Sequence, residues 1–91
     1  MNYARKPSTK FKKDLKRIQK RAYDLRKLET VIDILARCEP LSSRYRPHKL
    51  TGNYKGCWEC HIEPDWLLVY FYDGQYLNLA RTGTHADLFE K

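Results

Sequence analysis

No stretch of this 91-residue chain approaches the roughly 18–20 consecutive apolar residues that a membrane-crossing helix requires. The basic, apolar-poor first residues also lack the apolar core, about 7–15 residues long, of an export signal. A cytoplasmic location is therefore expected. Cysteine is scarce and odd in number, with Cys38, Cys57 and Cys60 only. A disulfide scaffold normally carries an even set in an oxidising compartment, so reduced thiols are expected. Internal repeats and low-complexity tracts are missing as well. At this length there is room for one core, hence one domain over residues 1–91.

What the chain does hold is positive charge, unevenly placed. Lys and Arg total 18 against 11 Asp and Glu, a formal +7. Residues 1–30 carry eleven basic and three acidic side chains; residues 31–91 carry seven and eight. The whole surplus sits on the first third. With 42% hydrophobic and 13% aromatic residues, the chain is too apolar for a disordered polycation. A folded domain with an anionic partner and no membrane partner follows.

The periodicities give an α+β layout. Residues 2–5 suit a short edge strand. Pro7-Ser8-Thr9 offers a hydroxyl N-cap, and Phe11, Leu15, Ile18 and Ala22 then form one apolar stripe in a strongly basic helix. Asp24 suits the N-cap of a second helix with an apolar face of Leu25, Leu28, Val31, Ile32 and Leu35, ended by Glu39-Pro40. Residues 41–53 show no period and read as a loop. From Trp58 the period becomes two: Trp58, Cys60 and Ile62 alternate with Glu59, His61 and Glu63, which are expected on a wet face. Pro64-Asp65 predicts a turn. The run from Trp66 to Tyr72 predicts a central strand covered on both faces. Asp73-Gly74 predicts a hairpin into a third strand ending near Arg81. His85 to Phe89 can form at most one helical turn. Two N-terminal helices packed on an antiparallel β-sheet are expected.

The segment Cys57-Trp58-Glu59-Cys60-His61 matches the haem-attachment pattern C-x-x-C-H, but a strand sends Cys57 and Cys60 to opposite faces. Cys38, His48 and His85 do not complete a zinc set at normal spacing, so no metal and no cofactor are expected. His48, His61 and His85 all lie near turns at one end of the sheet. Imidazoles with a carboxylate such as Asp65, beside a cationic surface, are what proton transfer at a phosphate needs. Lys12, Lys13, Lys16, Arg17 and Lys20 on the first helix could meet RNA phosphates. Lys49, Lys55 and Arg81 flank the histidines, and Tyr45, Tyr54, Trp66 and Phe89 could stack on bases, although Trp66 and Phe71 also read as core. Alternation places Arg81 with Leu77 and Leu79 on the core side. From there it reaches a phosphate only if the strand ends or bulges.

Three blocks carry a resemblance: His48 to Gly56, His61 to Tyr70 and Arg81 to Phe89, the last reading R-T-G-T-H-A-D-L-F. In order and spacing they resemble the YafQ branch of the RelE/ParE toxin superfamily. The resemblance implies a compact RelE-like fold and a ribosome-dependent, metal-independent mRNA endoribonuclease. It further implies a cognate antitoxin, with a monomer alone and a higher-order complex when bound. It places His48, His61, Asp65, His85 and Phe89 at the active site, where the message's 2′-OH attacks the adjacent phosphorus. Arg81 would stabilise the phosphate, with Lys49, Lys55 and Trp66 contacting message. Lys12, Lys13, Lys16, Arg17 and Lys20 would dock on ribosomal RNA. Two other readings remain open, a ParE-like toxin that binds a partner without catalysis and a plain RNA- or ribosome-binding module.

Overall fold

In the computed structural model, which describes residues 2–89, the basic start of the chain forms β1 (Ala4–Pro7) and turns into α1 (Thr9–Lys20). Ser8 caps α1, its hydroxyl accepting the Phe11 N–H at 2.9 Å. The second helix, α2 (Leu25–Ala36), is capped by Asp24, which accepts the Arg26 N–H at 3.1 Å. Each such cap contributes on the order of 1 kcal/mol. Then follow β2 (His48–Lys49), β3 (Trp58–Glu63), β4 (Trp66–Asp73), β5 (Tyr76–Gly83) and α3 (His85–Phe89). None of the described helices is long and apolar enough to cross a membrane.

The five strands lie in the order β1-β5-β4-β3-β2. Sheet direction departs from expectation: β1 pairs parallel to β5, so the sheet is mixed rather than wholly antiparallel. The four exposed edge residues, Ala4 to Pro7, have no alternation from which a direction could be read. Residues 41–53 also differ from the expected loop. They contain two 3₁₀ turns, Ser43–Tyr45 and Gly52–Tyr54, and between them β2, which carries His48 on to the edge of β3.

Both sheet faces are covered, as the unbroken apolar run of β4 requires. The helix face buries Phe11, Ile18, Leu28, Val31, Ile32 and Leu35 against Cys60, Trp66, Leu68, Tyr70 and Leu77. Burying an aliphatic or aromatic side chain contributes about 1.5–3 kcal/mol, so this layer dominates stability. The opposite face holds a smaller cluster of Leu67, Val69 and Leu88, with Leu50, Tyr54, Cys57, Ala80 and Phe89 packed around it. Cys57 and Cys60 thus sit on opposite faces, as parity demands. Register then shows which face carries the polar residues of interest. His48 pairs with Glu59, Glu59 with Val69, and His61 with Leu67. All stand on the side of the smaller cluster. That side is roofed by residues 50–57 and α3, so Glu59 (5% exposed) and His61 (9%) are buried, not wet as alternation alone suggested.

Arg81 reaches the same face through a β-bulge. Val69 pairs with Arg81 but Tyr70 pairs with Leu79, so Ala80 is the extra residue. The bulge removes Arg81 from the face of Leu77 and Leu79.

Candidate active site

Four aromatic rings form a row across this face. Ring centroids are 6.3 Å apart for His48 and His61, 5.8 Å for His61 and His85, and 6.4 Å for His85 and Phe89. The three histidines come from β2, β3 and the first turn of α3, elements far apart in sequence that the sheet brings together. His48 and His85 are exposed while His61 lies beneath them.

Proton positions follow from the partners. Asp65 accepts the His85 backbone N–H at 2.9 Å and faces the ring Nδ1 at 2.6 Å, both through Oδ1. These contacts, the backbone one foremost, hold the Asp65 carboxyl below its ordinary range, so it is ionised and only accepts. His85 therefore carries its proton on Nδ1 and leaves Nε2 free. The His48 Nδ1 lies 3.1 Å from the Arg46 carbonyl and the His61 Nδ1 lies 3.3 Å from the Pro64 carbonyl. Carbonyls only accept, so both rings donate from Nδ1. Their Nε2 atoms both face Glu59 Oε1, at 3.2 and 3.5 Å. One buried carboxyl oxygen thus stands between the two imidazoles. The pattern of alternating residues had set Glu59 on a solvated face; its central place here was missed.

The same three residues are the one group among those described whose ligand atoms could hold a metal ion, all within 4.8 Å of one another. Two imidazole nitrogens and one carboxylate oxygen suit a tetrahedral site with bonds of about 2.0–2.2 Å. The cysteines take no part: Cys60 is buried against the helices, which pushes its thiol up to about 12.

On the far side of Phe89, a cleft of about 860 Å³ is lined by Lys10, Asn53, Tyr54, Arg81 and Phe89 among others. Tyr54 meets Phe89 edge-on at 5.7 Å. The Arg81 guanidinium donates from Nε and Nη2 to Asp14, at 2.7 and 3.1 Å, and from Nη1 to the Tyr54 hydroxyl at 3.2 Å. Asp14 is 1% exposed and also accepts the Thr82 N–H at 3.1 Å. This brace was not read from the sequence, although Asp14 falls three residues after Phe11 and four before Ile18, within an apolar face. A carboxylate there announces a buried partner. The helix that carries His85 is braced too. Thr84 and Asp87 exchange N–H···O bonds of 3.0 and 3.1 Å as a capping box, and Asp87 also accepts from Arg21 at 2.7 and 3.0 Å. A Cβ on Gly83 (φ +149°) would stand 2.8 Å from that carboxylate, so only glycine fits.

One expected contact is corrected. Trp66 is 1% exposed; it packs edge-on against Tyr23 at 4.9 Å and donates to the Thr82 hydroxyl at 3.0 Å. It has no face for a base, and its core reading holds. Arg17 pairs with Asp14 at 3.2 Å with its side chain still 41% exposed, on the same helix as the exposed Lys12, Lys13, Lys16 and Lys20. Lys49 and Lys55 are exposed beside the site, Lys49 lying 5.7 Å from the Trp58 ring centre.

Residues 3–90 match the family of bacterial toxins of type II toxin–antitoxin systems named YafQ. The chain belongs to this family. The mRNA interferase toxin YafQ of Escherichia coli K12 is 42% identical over 83 residues, covering 90% of each chain. The toxin in the E. coli DinJ–YafQ toxin–antitoxin complex superposes with a TM-score of 0.88 at 39% identity, over 98% of this chain and 99% of that one. A metal-bound toxin from Helicobacter pylori gives 0.89 at 42% identity, over 96% and 99%. The YafQ family thus supplies the RelE-like α+β fold that the sequence blocks implied.

Proposed function

We propose that this YafQ-family toxin is an mRNA endoribonuclease that cuts message in the ribosomal A site, in the cytoplasm, by histidine acid–base catalysis. The observation that carries this reading is the row His48–His61–His85 with two separate carboxyl groups against it, Asp65 on His85 and Glu59 between His48 and His61. In the reaction, the 2′-oxygen bonds to phosphorus as the P–O5′ bond breaks, leaving a 2′,3′-cyclic phosphate and a 5′-hydroxyl. One proton leaves the 2′-OH and one reaches O5′. His85, oriented by Asp65, exchanges one of them through its free Nε2. The His48–Glu59–His61 group exchanges the other. Each such transfer is worth roughly 10²–10⁴ in rate. Arg81, with Nη hydrogens to spare and its other N–H groups fixed by Asp14 and Tyr54, meets the phosphoryl oxygens. Phe89 and Tyr54 stack or position a base.

The exposed lysines of α1 support docking on ribosomal RNA. An acidic antitoxin segment would cover the same cationic surface, as the DinJ–YafQ pairing suggests; the toxin alone is then a monomer and the pair a larger complex. No metal is needed, and one held by His48, Glu59 and His61 would occupy the nitrogens through which a proton must pass. A message with sulfur replacing the scissile 5′-oxygen tests the division of roles, because a thiolate leaves without an acid. That message should restore cutting by the His85→Ala or the His48→Ala variant, and not both. Rescue of both or of neither contradicts two separate proton-transfer groups.

A further inference from the structure

A second cavity of about 480 Å³ opens beside His61, lined by Lys27, Arg44, Tyr45, Arg46, His61 and Glu63 among others. Phe89 lines the first cleft and His61 lines this one, and the two share no residue. Its walls carry three cations. Lys27 is spent on Glu63, at 2.6 Å. Among the described residues, Arg44 and Arg46 have no carboxylate partner, so two guanidinium groups stand free at its rim. The Arg44 guanidinium carbon lies over the Tyr45 ring, 5.0 Å from its centre, a pairing that a base could extend by stacking. Arg46 is in the left-handed region (φ 49°, ψ 53°). That conformation aims its carbonyl at the His48 Nδ1 while its side chain lines the cavity. One strained residue therefore sets both the orientation of a site histidine and the charge of the neighbouring pocket.

We propose that this pocket is a nucleotide subsite of the cleavage site, in which Arg44 and Arg46 take the message phosphodiester next to the scissile one and Arg44 offers its face to the attached base. The proposal rests on the endoribonuclease reading. It explains why free cations are kept beside His61, away from α1. A strand entering by the Arg81 cleft, crossing the histidines and leaving by this pocket would be held on both sides of the bond that breaks, which fixes the in-line geometry.

The test uses programmed ribosomes with synthetic messages carrying an uncharged methylphosphonate one position before or one position after the scissile phosphate. The variant is Arg44→Ala with Arg46→Gly, since glycine keeps the left-handed backbone and the carbonyl on His48. Wild type should lose roughly tenfold in kcat/KM on one of the two messages, and the variant should lose roughly tenfold on the unmodified message with a smaller salt dependence. On the neutralised message the variant should lose nothing more. Unchanged cutting by the variant overturns the subsite. So do additive losses, which would place the two arginines on ribosomal RNA instead. If wild type cuts no message on programmed ribosomes, the endoribonuclease reading itself fails and the subsite with it.

Discussion

A single oxygen of Asp65 holds His85 twice, facing its ring Nδ1 at 2.6 Å and accepting its backbone N–H at 2.9 Å. The turn between β3 and β4 is thereby tied to the first residue of α3, and the imidazole has one tautomer and one free nitrogen. Because Asp65 is exposed, removing it should cost little stability. Asp65→Ala should instead slow cleavage by about 10²-fold. Single-turnover cutting beside a thermal melt separates these effects; a lowered melting temperature with normal cutting would contradict the assignment.

Asp14 makes the opposite case. It is buried with Arg81, and deleting one member of such a pair strands the other charge, at about 3–5 kcal/mol. Asp14→Ala should therefore lower the denaturant midpoint sharply, whereas Asp14→Asn should keep part of the stability by retaining one acceptor. Loss of cutting should follow in both, since Arg81 is no longer braced. A midpoint equal to wild type for Asp14→Ala would contradict the burial argument.

Acid stability should depend on Asp87. Its hydrogen bonds with Arg21 hold the carboxyl well below the ordinary range, so the folded form binds its proton later than the unfolded chain does. The resulting stability is present above the unfolded value near pH 4 and is lost as pH falls further, through the folded value. Asp87→Asn should flatten that acid limb in unfolding experiments while reducing stability at neutral pH. An unchanged acid limb would show that other carboxylates govern it.

Replacing Lys12, Lys13, Lys16 and Lys20 together by glutamine should raise KM for ribosomes and weaken its salt dependence, leaving the chemical step intact. Arg17→Gln belongs to another class: it removes a contact to Asp14 and should show in stability first. If the four-lysine variant lost rate at saturating ribosomes with no change in salt dependence, α1 would be acting on the chemistry.

Zinc tests the other end of the site. Added Zn²⁺ should inhibit by binding His48, Glu59 and His61, and chelation should leave wild-type activity unchanged. Activity abolished by chelator and restored by zinc would contradict metal-independent catalysis.

The helices, their caps and the doubly covered β4 were legible because each is written in local periodicity. The company of the three histidines was legible from the order of their motif blocks. Their burial was not. Alternation assigns Glu59 and His61 to a second face but cannot say that residues 50–57 and α3 roof that face. Parity exposed a conflict at Arg81, and the bulge at Ala80 resolves it, yet nothing local to Ala80 marks an extra residue. Likewise, the left-handed Arg46 sits where sequence alone would favour glycine or asparagine, so its strain shows only in three dimensions. Asp14 was readable in principle, as a carboxylate on an apolar helix face, and its partner was not.

The central claim is that this chain cuts message on the ribosome through its histidines. Mapping mRNA ends after translation in vitro tests it most directly. Wild type should produce new ends within codons at the A site, ending in 2′,3′-cyclic phosphate, and His85→Ala should leave the message intact. Equal cleavage by the His85→Ala variant, or cleavage of free message without ribosomes, would contradict the account.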